Sequence, residues 1–292
     1  MTQASKATPT ARRLPGDESL LRQLLSDPLG RWGFIGISFI VLLAILAPVL
    51  ARYDVAQIHA KQRLTAPGAQ FWFGTDNFGR DIFSRIVYGA RVSLIVGLIS
   101  VSIAAGLGYV LGLLAGYFEG RVESGIMMVM DIIFAFPSIL LALLIVAVLG
   151  TSLVNTMIAI GIVNIPVFAR TVRASVKSIK SSDFVANARS IGLKNGAILM
   201  RHITPNSLAP FTVQATLALS GAILTEATMS FLGLGIQPPS PSWGSMLSES
   251  RAYMERAPWM VLFPAFFIII TILSFNILGD ALRDVLDPKL KL

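Results

Sequence analysis

The chain has 292 residues, of which 54% are hydrophobic and only 14% charged, and its mean hydropathy is +0.71. Soluble chains carry about 25% charged residues, so the composition excludes a soluble globular domain and defines an integral membrane protein. The net charge of +8 and the pI near 10.1 do not indicate nucleic acid, because the basic residues flank apolar runs and form no stripe with aromatics.

Residues 1–31 are a polar cytoplasmic N-terminal segment carrying Lys6, Arg12, Arg13, Arg22 and Arg31, and Leu20 to Leu25 suit a short helix on the membrane surface. The apolar run Trp32 to Leu50 is a first span. It is too long for a signal-peptide core and has no small-x-small cleavage site. A long polar interval follows, so that residues 32–91 comprise the first span and an extracytoplasmic loop. Gly74 and Gly79 punctuate the loop, and Asp81, Arg85 and Arg91 are expected on a mostly polar helix face. A structural ion-pair set at the membrane rim accounts for them better than a catalytic carboxylate.

Residues 92–280 hold five further spans. Val92 to Tyr117 is the second, and in it Ala104, Gly108, Gly112 and Gly116 recur every four residues. Such a small-residue stripe lets helix backbones approach closely in lipid and marks a helix–helix seam. After a polar connection at Phe118 to Gly125, the third span runs from Ile126 to Leu149, with Asp131 in its first two turns and a bend expected at Phe136-Pro137. The fourth, Ser152 to Phe168, is shorter and interrupted by Asn155, Asn164 and Pro166. Pro210 to Leu234 is the fifth and carries Glu226. Gly235 to Pro258 is polar, with a rigid turn at Pro238 to Trp243. Trp259 to Leu278 is the sixth, long enough for a hydrocarbon core of about 30 Å. Residues 281–292 form a tail.

Between the fourth and fifth spans lies a basic interval, 170–206. Its part from Ser182 to Asn206 reads as two short helices around a glycine. Ser182 suits an N-cap and Asp183 the first turn, where the helix dipole favours an anion. Phe184, Ala188 and Ile191 fall on one face, Gly192 is a natural stop, and Leu193 to Ile203 form a second amphipathic run closed by Pro205. An elbow with one apolar ridge can dock into a groove of another protein. On spacing alone a solvated basic loop is the plainer reading.

Six spans put both termini on one side. With the N-terminus inside, 16 Lys and Arg are cytoplasmic against 8 outside, which supports that orientation. Glu226 lies near mid-span, where an ionisable group is costly. It could meet a cationic substrate group or a proton, or be tied by hydrogen bonds to a neighbouring helix. Asp131 and Asp280, near cytoplasmic ends, read as structural. The absence of Cys and the separation of His59 from His202 leave no metal site to expect, and no Gly-Lys pair exists to build a phosphate-cradling loop. There is neither a nucleophile–base set for an enzyme nor the internal repeat usual in a secondary transporter. A pore-forming subunit without its own motor remains.

Three blocks carry a resemblance that covers nearly the whole chain from about Leu29: FGTDNFGRDIFSRIVYGARVSL after the first span; FVANARSIG followed by RHITPN in the elbow; and SFLGLGIQPPSPSWGSML with FNILGDALRDVLDPKLK in the last third. In these the chain resembles the membrane permease subunits of bacterial ABC importers of the dipeptide/oligopeptide/nickel family, and the second, C-type, of the two permeases. The elbow resembles that family's EAA loop. It departs at Ala186, where the loop glutamate usually stands, and at Asn187, where the next alanine does. Met128 replaces an arginine often found before Asp131, so no ion pair is expected for that aspartate.

The resemblance implies an all-α type I ABC importer permease fold, with six transmembrane helices and a cytoplasmic helix-Gly-helix coupling loop in a bacterial inner membrane. It implies a second homologous permease, two ATPase subunits and an extracytoplasmic substrate-binding protein as partners. ATP and Mg would be bound by the partners and no cofactor by this chain. Asp183 to Gly192 would then dock on an ATPase, with Phe184 and Ala188 packing and Asn187 and Arg189 making polar contacts at the edge. Short peptides are the expected cargo. Nickel chelates, glutathione or opines are the alternatives within the family, and a stand-alone secondary transporter is the alternative of another class.

Overall fold

A computed structural model describes residues 20–286, so the basic residues before Leu20 and the final DPKLKL lie outside the described residues. The elements are helical: α1 (Leu20–Ser26), α2 (Pro28–Ile45), α3 (Ala47–Leu50), α4 (Ile82–Tyr117), α5 (Arg121–Phe134), α6 (Ser138–Leu149), α7 (Leu153–Lys180), α8 (Asp183–Ser190), α9 (Asn195–Ile198), α10 (Thr204–Phe231), α11 (Trp243–Ser250) and α12 (Trp259–Leu286). Five helical stretches are each long and apolar enough to cross a membrane, and α5 with α6 makes a sixth if that bent pair is one span.

Helix ends account for most differences from the sequence reading. The first span begins at Pro28, not Trp32, because Gly30 N–H donates to the Asp27 carboxylate at 2.6 Å and Pro28 occupies the first turn. It stops at Ile45, ahead of Pro48, and a short α3 takes over. The second span starts at Ile82, ten residues before Val92. Asp81 caps it by accepting from Ser84 N–H at 2.8 Å. Residues 82–91 therefore extend the spanning helix, and the boundary expected at residue 91 falls inside α4. The fourth span continues through Pro166 and past Phe168 to Lys180, and the sixth past Leu278 to Leu286. The expected bend in the third is present and sharp: α5 and α6 meet at 87° around Ala135-Phe136-Pro137.

Pro205 does not close a helix. The chain passes from α9 through a π-helical turn at Leu199–Ile203 directly into α10, where Pro205 sits in the first turn and Pro210 lies inside. A π turn leaves backbone groups out of the regular ladder, so a proline just beyond it forfeits little.

The glycine stripe performs as a seam. A Cβ on Gly108 would lie 2.5 Å from the Phe168 Cβ, one on Gly112 2.5 Å from the Ala169 carbonyl oxygen, and one on Gly116 2.7 Å from the Val176 Cβ. α4 and α7 are thus in backbone-level contact along about three turns, a closeness only small residues permit. A main core cluster surrounds this seam, with Val96, Ala104, Ile160, Phe168 and Ala222 buried. A second joins α2, α4, α11 and α12 around Ile40, Ile86, Trp243 and Phe267.

Candidate functional site: the helix-glycine-helix elbow

α8 leaves α7 through Ser181 and Ser182. Ser182 precedes the helix as predicted, but its hydroxyl donates back to the Ile179 carbonyl at 2.6 Å and does not cap the N-terminus. At the other end Gly192 has φ of +83°, Gly192 N–H donates to the Arg189 carbonyl at 3.0 Å and Leu193 N–H to the Ala188 carbonyl at 3.2 Å. These two bonds across a left-handed residue are the Schellman C-cap, which satisfies carbonyls that the helix end would orphan.

The buried side of α8 is Val185 and Ala188, packed with Val172, Val176, Ile198 and Ile203. The predicted ridge of Phe184, Ala188 and Ile191 is therefore split. Ala188 faces the chain's own core and cannot pack on a partner, because Val185, one turn earlier, shares its face. Phe184 is 45% and Ile191 79% exposed, beside exposed Asp183, Ala186, Asn187, Arg189 and Gly192. An apolar pair flanked by polar groups is left open to a partner.

Three links fix the elbow's position. Tyr117, the last residue of α4, donates its hydroxyl to Asn195 Oδ1 at 2.7 Å, and Lys180 Nζ donates to the Tyr117 carbonyl at 2.9 Å. Lys180 also pairs with Glu119 at 3.1 Å. One turn back, Glu123 accepts from Arg173 and from Lys177, the latter at 2.5 Å. Three basic residues, Arg173, Lys177 and Lys180, thus clamp α7 to the α4–α5 connection or to α5. Asp131, for which no ion pair was expected, accepts from Arg170 Nη2 at 2.7 Å. The partner lies 39 residues on, on another helix, out of reach of local spacing.

At the far end of α4 the expected ion-pair set exists, with a different membership. Asp76 holds Arg80 at 2.5 Å, and Glu249 of α11 accepts from Arg80 and, at 3.3 Å, from Arg85. Asp81 serves only as a cap. Arg85 is 2% exposed and Arg91 exposed, so the three predicted residues do not share a face. Glu226 is wholly enclosed: its carboxylate accepts from Ser93 at 3.1 Å and Ser230 at 2.8 Å, tying α10 to α4.

The described residues thus form a multi-pass helical bundle whose fourth and fifth spans are joined by an exposed helix-glycine-helix elbow. Residues 108–292 match the family described as binding-protein-dependent transport system inner membrane component, and residues 18–67 match the N-terminal transmembrane domain of oligopeptide transport permease C. The chain belongs to this family of ABC importer permeases, which sets aside the stand-alone secondary transporter. It is 52% identical to a dipeptide transport system permease protein of Alkalihalophilus pseudofirmus over 92% of this chain and 89% of the relative. It is 46% identical to a di/tripeptide transport system permease protein of Pseudomonas aeruginosa, over 89% and 88%. A glutathione transport system permease protein of Pectobacterium atrosepticum is 45% identical, over 86% and 84%.

Proposed function

We propose that this chain walls one side of an ATP-driven path for short peptides across a bacterial inner membrane, with both termini cytoplasmic. The observation that carries the reading is the elbow: a helix anchored to the ends of α4, α7 and α10 that presents Phe184, Asn187, Arg189 and Ile191 outward. Force applied there by an ATPase passes directly to three spans. A second permease would complete the path, two ATPases would bind ATP and Mg, and an outer binding protein would deliver cargo. Residues 82–286 would form the path-forming unit, preceded by the first span and outer loop. Glu226 serves here as a strut between α4 and α10, since no face of it is open.

Two of the relatives named above support a dipeptide or tripeptide cargo. Glutathione, itself a peptide of three residues, is the second reading and is favoured by the glutathione relative. The test is reconstitution in liposomes with the second permease, the ATPases and the loaded binding protein. ATP-dependent uptake of a labelled dipeptide is expected, and none by this chain alone. Gradient-driven flux through the chain alone would overturn the reading.

A further inference from the structure

The 87° break between α5 and α6 opens a cavity of about 380 Å³, lined by Phe134, Phe136, Pro137 and Ser138 of the break and by Asn164 and Val167 of α7. That size falls within the roughly 300–1,000 Å³ usual for small-molecule sites. Asn164 is near the middle of α7, so the cavity sits at bilayer depth. The backbone at 135–137 is non-helical, and Phe134 and Phe136 are each about half exposed. Irregular backbone at this depth is tolerated only where protein buries it or water reaches it, never facing lipid tails.

Beside the cavity, though not among its lining residues, stands the Asp131–Arg170 pair. Ala135 N–H, at the break, donates to the Asp131 carbonyl, and the Arg170 guanidinium lies 4.2 Å over the Phe134 ring. The two side chains are 65% and 41% exposed. An unpaired charge at this depth is costly, so the pair would separate only as a ligand takes over both charges, with the ring contact keeping Arg170 beside the cavity. A zwitterionic peptide carries an ammonium for Asp131 and a carboxylate for Arg170. Two charge-assisted contacts would then replace one, with the peptide's body against the broken backbone, Ser138 and Asn164.

We propose that this cavity is a passing site for short zwitterionic peptides, with Asp131 taking the amino end and Arg170 the carboxyl end. The inference rests on the peptide-import reading above and adds the residues that would touch the cargo.

The test uses the complete reconstituted transporter carrying Asp131→Asn, Arg170→Gln and the conservative Arg170→Lys. Dipeptide uptake, ATPase stimulation by the loaded binding protein and co-purification of the second permease are measured together. Each neutral variant is expected to lower uptake about tenfold or more while stimulation and assembly persist; Arg170→Lys is expected to retain most uptake. Unchanged uptake in the neutral variants, or loss of the second permease from them, would overturn the proposal. A wild-type complex that carries glutathione instead of dipeptides would retire the dipeptide reading alone. Glutathione also bears an ammonium and carboxylates, so the same variants would then be read on it with the same expected losses.

Discussion

The Tyr117 hydroxyl donates to Asn195 Oδ1 at 2.7 Å, joining residues 78 positions apart and tying the end of α4 to the second arm of the elbow. Tyr117 is 5% exposed, so in Tyr117→Phe the amide oxygen of Asn195 loses a partner inside a packed cluster. The bond is worth about 1 kcal/mol, roughly a fivefold change in an equilibrium. Tyr117→Phe is expected to insert normally and to lower ATP-coupled uptake several-fold. Uptake at the wild-type rate, measured on membranes of matched protein content, would show that this link carries no force.

Gly192 is the elbow residue with the least tolerance. Open space surrounds its Cβ position, so its constraint comes from the backbone, at φ +83°. Gly192→Ala should cost about 1–2 kcal/mol and weaken uptake. Gly192→Pro cannot adopt that φ and removes the N–H given to Arg189, so uptake should be abolished with membrane insertion retained. Arg189→Glu reverses an exposed charge without touching the core and is expected to abolish uptake too. Full transport by the Arg189→Glu variant would remove this residue from the partner-facing surface.

Removing Glu249 strands Arg85, which is 2% exposed and otherwise has Asp76 only at 3.8 Å. Breaking one side of such a buried pair costs roughly 3 kcal/mol or more. Glu249→Met should lower the Tm of the purified protein by several degrees, and adding Arg85→Met should restore part of the loss. A double variant less stable than the single one would contradict this account of the cluster. The remaining Arg80–Asp76 pair is left intact in both.

Glu226→Gln offers an oxygen to one of Ser93 and Ser230 and an amide to the other, so the tie between α4 and α10 persists. Uptake near the wild-type rate is expected. Glu226→Leu leaves both hydroxyls without that partner inside the fold and should cost about 1–3 kcal/mol of stability. A transport-dead but stable Glu226→Gln would return this carboxylate to the translocation path.

Much of the fold was legible in the sequence where a local rule decides it. The four-residue spacing of Gly108, Gly112 and Gly116 marked a helix–helix seam on α4 though not its partner α7, Phe136-Pro137 marked the bend, and Gly192 marked the turn of the elbow, each because the signal is carried by the residue itself. Hydropathy misplaced the starts of α2 and α4, since the polar caps Asp27 and Asp81 begin those helices before the apolar residues do, and the C-terminal ends of α7 and α12, which run on as helix beyond the apolar residues. The site was legible as a stretch but not as a surface. Val185, not Phe184, is the buried partner of Ala188, a distinction set by what α7 and the π turn supply across from α8. Pairs such as Arg170–Asp131 and Arg85–Glu249 join helices far apart in sequence, and no spacing rule reaches them.

The glycine seam has a mechanical consequence. Because α4 and α7 touch at the level of their backbones, a push arriving through α7 moves both as one stiff beam. α10, at the opposite exit of the elbow, enters through a widened turn and carries two prolines near its start. If an ATPase drives the elbow as proposed, its stroke would be unevenly divided: one side would resist it, the other would yield, and the travel would be concentrated where the fifth span meets that beam.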